Sequence, residues 1–80
     1  MRQVRPADWL TRGWLEAAPP TLIFHAREKL AVTLARGGFR LLAALAAHAE
    51  TSGWGVEIVP YSRETADLAL AQGGHLHVFL

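Results

Sequence analysis

The sequence predicts an α/β domain built on three parallel strands, and three observations carry that expectation. Short apolar runs at Thr21–His25, Val56–Val59 and His75–Leu80 alternate with stretches of helical character. The first run is consecutively apolar instead of alternating, which suits a strand covered on both faces. Glycines punctuate each junction, at Gly37-Gly38, Gly53 and Gly73-Gly74. Residues 21–80 therefore read as a three-stranded parallel βαβαβ unit, half of a doubly wound domain, because right-handed helical crossovers set successive strands parallel.

Each element has its own justification. In residues 1–20, Pro6 suits a first helical turn, and Trp9, Leu10, Gly13, Trp14 and Ala17 share one face of an N-terminal amphipathic helix. Pro19-Pro20 ends that helix by removing two backbone donors, and it forms the joint between segments 1–20 and 21–80. After the first strand, Leu30 and Leu34 stand one helical turn apart behind the charged run Arg27-Glu28-Lys29, a pattern that fits either a short helix or an ordered loop. Phe39 to Glu50 is the clearest helix, with an apolar stripe of Phe39, Leu42, Leu45, Ala46 and Ala49. Gly53 is its stop. Val56–Val59 is the second strand, with Pro60 at its end, where a missing donor does little harm. Ser62 caps a further helix through Gln72, with Ala66, Ala69 and Leu70 turned inward. His75–Leu80 is the third strand, and the middle of the three strands is expected to separate it from the first.

Composition sets limits on function. The chain has 80 residues, with 8 Lys and Arg against 7 Asp and Glu, a formal net charge of +1. Its arginines are scattered from Arg2 to Arg63, so the electrostatic footprint of a nucleic-acid binder is missing. With no cysteine there are no disulfides, no thiolate metal ligands and no thiol nucleophile, and a reducing cytoplasm is the expected compartment. Asp8, Arg12 and Glu16 interrupt the N-terminal region against a signal peptide, and the longest aliphatic run, Leu41 to Ala47, is too short for a membrane span. Trp9 and Trp14, with Arg2, Arg5 and Arg12 nearby, suit either peripheral contact with a membrane surface or cover for the sheet, and Asp8 and Glu16 favour the second.

Two constellations could carry chemistry. Gly37-Gly38, between the first strand and the long helix, suits a phosphate or substrate loop with Arg36 and Arg40 as charge partners; equally, glycine there serves a turn that needs positive φ. The G-x-G-x-x-G, G-x-x-x-x-G-K-[ST] and G-x-S-x-G fingerprints are absent, and Glu57 falls inside the second strand instead of at its carboxyl end, which argues against a standard dinucleotide site. His25, His75 and His77 form the second group. No cysteine or suitably spaced carboxylate completes a ligand set, so neither metal nor cofactor is expected. His77 is expected to pack against a helix. His25, at the carboxyl end of its strand, is the candidate for hydrogen bonding or proton chemistry in the cleft.

Residues 22–80 resemble the N-terminal Rossmann-like part of GT-B fold glycosyltransferases. The resemblance rests on Gly37-Gly38-Phe39-Arg40-Leu41-Leu42-Ala43-Ala44-Leu45-Ala46, on Ser52-Gly53-Trp54-Gly55-Val56-Glu57-Ile58-Val59, and on Ala66-Asp67-Leu68 leading to His75-Leu76-His77-Val78-Phe79-Leu80. It implies hexosyl transfer from a nucleotide sugar to an acceptor, with Gly37-Gly38 near the donor phosphates and most of the donor held by a second domain. The stretch from Ala26 to Arg36 is longer than the simplest form of that pattern. The expectation is an N-terminal portion of such an enzyme, a fragment inactive alone. The alternative is a non-enzymatic α/β interaction module that completes its sheet with a partner or, as a homodimer, with a second copy. Leu76, Val78 and Leu80 share one face of the terminal strand and motivate that alternative.

Overall fold

A computed structural model describes residues 2–5, 20–71 and 74–80. Among the described residues it is an α/β fold with a four-stranded, all-parallel sheet and three helices. In chain order these are β1 (Arg2–Gln3), β2 (Thr21–Ala26), α1 (Glu28–Ala35), α2 (Arg40–Thr51), β3 (Gly55–Pro60), α3 (Arg63–Ala71) and β4 (Leu76–Phe79). The expected N-terminal helix, with Trp9 and Trp14, falls on residues 6–19, which lie outside the described residues.

The three expected strands pair in parallel, but the strand between the other two is β2, not β3. The spatial order is β1-β3-β2-β4. Leu22 pairs with both Val56 and Leu76, and Phe24 with both Ile58 and Val78. Burial explains the order. All six residues of β2 are buried, and the central position of a sheet wrapped by helices is where a continuously apolar run loses most contact with water. The fourth strand was not anticipated, because two residues carry no periodicity. Arg2 and Gln3 lie against Glu57 and Ile58, and the Val4 amide extends the ladder by donating to the Ile58 carbonyl at 2.7 Å.

Helices cover both faces. Leu22, Phe24, Ala26, Val56 and Ile58 point to the side where α1 and α2 supply Ala31, Leu34, Ala46 and Ala49. Ile23, Val59 and Val4 point to the other side, against Ala69 of α3. The ambiguous segment after β2 is the helix α1. Of the stripe expected on α2, Ala46 and Ala49 are buried, while Phe39 and Leu45 sit at its edge, 42% and 38% exposed. On α3 the inward residues are Thr65 and Ala69. Leu70, expected to face in, is 78% exposed, because Thr65 and Ala69 set the buried stripe and Leu70 lies one residue round the helix from it. The Ser62 cap forms as expected, its Oγ accepting the Thr65 amide at 3.1 Å.

Candidate functional site

In a wound parallel sheet, ligands enter beyond the carboxyl ends of the strands, at the point where chain order reverses direction. Here that point lies between β2 and β4, since the chain passes from β2 to β3 on one side and then to β4 on the other. The N-terminus of α2 is at this end of the sheet: Phe39 and Leu42 line an apolar cavity of about 250 Å³ with Leu30 and Leu80, and Leu80 directly follows β4. Arg36 and Arg40 are both exposed on either side of the turn that leads into α2.

The geometry of Gly37-Gly38 decides what the glycines do. The Gly37 amide donates to the Leu34 carbonyl at 3.0 Å and the Gly38 amide to the Thr33 carbonyl at 2.9 Å. With φ of +82° at Gly37, this is a Schellman cap that ends α1. The same pattern ends α2, where the Gly53 amide donates to Glu50 and that of Trp54 to Ala49, with φ of +83° at Gly53. Gly38 is needed for space: a Cβ there would stand 2.5 Å from Thr33 Cγ2 and 2.8 Å from the Thr33 carbonyl oxygen. Both glycine amides are thus committed to α1. An anion at this turn would meet the first-turn amides of α2 and the two arginines instead. Phe39 enters α2 with φ of +56°, a left-handed conformation that is uncommon for a bulky residue.

The histidines are brought together by the strand order. His25 and His77 were expected on strands kept apart by the middle one; with β2 central they are on adjacent strands, and His25 Nε2 lies 2.9 Å from His77 Nδ1. His25 does not open into the cleft. It is fully buried on the α3 side of the sheet, its ring stacked on Phe79 at 4.7 Å between centroids. Burial, and after it the neighbouring His77, pulls its pKa down to about 4. Burial likewise lowers that of His77, with His75 the second cause. His75 accepts the Thr21 amide on Nδ1 at 3.2 Å. No group of three or more His, Cys, Asp or Glu side chains among the described residues could hold a metal ion.

Glu57 lies inside β3, almost buried, and Arg2 reaches it at 2.6 Å. That pairing ties β1 to β3 and gives Glu57 a structural role. Sequence reasoning missed two things at this site, the β1 clamp and the His25–His77 contact. The first had a faint signal in an arginine near the N-terminus and an acid inside a strand; the second had none before the strand order was known. No family model, curated protein or solved structure gives a significant match to this chain.

Proposed function

We propose that this chain is the N-terminal α/β portion of a hexosyl-transferring glycosyltransferase, inactive alone, whose nucleotide-sugar donor and acceptor meet at the carboxyl ends of β2 and β4. The observation that carries the reading is the topological switch point between those strands, with the N-terminus of α2 beside it. Arg36 and Arg40 would pair with the donor diphosphate, and Gly37-Gly38 would shape the turn that presents them. Residues 21–80 would then form half of a Rossmann-like domain. With β1 set aside, the order β3-β2-β4 is that of the first three strands of flavodoxin-like sheets, which keep their ligand at the same switch point. His25 would act from behind, by holding His77 in place. The proposed compartment is the cytoplasm, from the lack of cysteine in the sequence. Among the described residues no single helix is long and apolar enough to cross a membrane. Nucleic acid is not among the proposed partners, and contact with a membrane surface would fall to Trp9 and Trp14.

The test is titration with uridine and guanosine diphosphate sugars, followed by amide NMR. Shifts at Arg36 to Leu42 and Leu80, lost in an Arg36→Glu, Arg40→Glu variant that stays folded, are expected. Shifts nowhere, or shifts unaffected by the two charge reversals, would remove the donor site. A second reading has its own support. The edge strand β4 carries no charged residue, and Leu76 and Phe79 on it are 47% and 44% exposed, so it suits completion of the sheet by a partner or a second copy. A stable dimer by light scattering, with no response to nucleotide sugars, would favour that reading.

A further inference from the structure

We infer that the His25–His77 pair is an acid-sensitive latch that holds the edge strand β4 on the sheet. The two ring nitrogens are 2.9 Å apart, so one must carry a proton and the other a lone pair. A neutral pair meets that condition, and so does a pair with one extra proton. A pair with two extra protons cannot, because two N–H groups on two positive rings would then face each other across the contact.

His25 is fully buried, and the other nitrogen of His77, Nε2, is buried with no hydrogen-bond partner among the described residues. Phe79 covers the His25 ring and lies 6.4 Å from that of His77. On this side of the sheet, β4 adds His75, another base. β3 adds Glu57, but Ile23 stands between it and His77 in the register, and Arg2 already holds it. After β3, Tyr61 meets Phe79 edge-on. From α3 the buried residues are Thr65 and Ala69, while Arg63, Glu64 and Asp67 are exposed. Burial lowers the proton affinity of both rings in the same direction.

β4 is the element most dependent on this pair. It is four residues long, it pairs with β2 alone among the described strands, and two of its side chains are about half exposed. Loss of the latch therefore frees β4 before the β2-β3 pair, which is joined by a longer ladder.

Two amides that both donate to β2 carbonyls, from opposite neighbours, give the test. The Leu80 amide donates to His25 at 2.9 Å and the Tyr61 amide to Ala26 at 3.0 Å. Hydrogen exchange on the whole chain, corrected for intrinsic rates, is followed from about pH 7 to about pH 4.5. The expected result is a loss of Leu80 protection of about tenfold or more relative to Tyr61, as ring-nitrogen NMR shows protons entering the pair. Equal loss at both amides, or a Leu80 amide that stays protected after both rings are protonated, overturns the latch. A His77→Leu variant that folds should lose the acid step at Leu80; one that keeps it also overturns the inference. If that variant does not fold, the wild-type exchange and NMR decide alone.

Discussion

The two faces of the sheet are made from alternate residues of the same strands, yet they are different materials. Toward α1 and α2 the strands present Leu22, Phe24, Ala26, Val56, Ile58 and Val78, all apolar. Toward α3 they present Thr21, Ile23, His25, Glu57, Val59 and His77, where apolar and polar groups mix. The first face needs only volume and shape, so its packing is non-directional. The second has buried polar atoms, whose hydrogen bonds hold only within narrow limits of distance and angle. Stability and sensitivity are thus divided by the pleat of one sheet: a residue's parity along the strand decides which it serves.

Breaking the apolar face should have the largest effect. Phe24→Ala empties a fully buried site on the central strand and should cost about 3–5 kcal/mol, a large part of the stability of a domain this size, read as a fall in urea midpoint. Acid should act next, and on the mixed face. His25 has a folded pKa of about 4, below its unfolded value, so the unfolded chain binds the proton first. Its contribution is complete above about pH 6.5 and is lost as pH falls toward about 4, with a total of about 3 kcal/mol. Urea midpoints measured across that range should slope downward toward acid, and a flat profile would show that His25 is not held neutral by the fold.

Gly38→Ala acts on the apolar face through the loop that carries α1 into α2. The added methyl meets both the side chain and the carbonyl of Thr33, so a loss of about 2 kcal/mol is expected. Thr33→Ser in the same chain removes Cγ2 but leaves the carbonyl, and should restore only part of that loss. Glu57→Gln tests the far edge of the mixed face. Arg2 is 61% exposed, so the pair is well solvated on one side and the change should stay under about 1 kcal/mol in thermal melts. The smallest effect is expected at Leu41→Lys, where the side chain is 87% exposed and helix propensity is nearly the same. A shift beyond about 0.5 kcal/mol there would mean that Leu41 is covered in solution, and light scattering on both forms would show by what.

Much of this was legible from the residues. The consecutive apolar run of Thr21–His25 marked a strand buried on both faces, the alanine-rich stretch from Phe39 marked α2, Gly53 marked its end and Ser62 the start of α3, because each rests on interactions within a few residues. Gly37-Gly38 was legible as a junction but not as to its use, since a phosphate loop and a Schellman cap ask for the same glycines. The hydrogen-bond partners at Thr33 and Leu34 distinguish them. The N-terminal helix expected around Trp9 and Trp14 lies outside the described residues.

The residues alone marked three of the strands, the helices α2 and α3 and their starts and stops, each from interactions within a few residues, and the alternation of strand and helix implied that those three strands run parallel. Strand order belonged to the tertiary structure. A connection from β3 to β4 through α3 can reach either side of β2 at similar chain cost, so no local signal separates the two arrangements. The balance is set by burying β2, whose six residues are all apolar or internally partnered, between two neighbours. That choice in turn brought His25 within 2.9 Å of His77 and gave a two-residue strand at Arg2 a place beside Glu57. Contacts across 52 and 55 residues of chain arise from the packed sheet as a whole, and only the assembled sheet could reveal them.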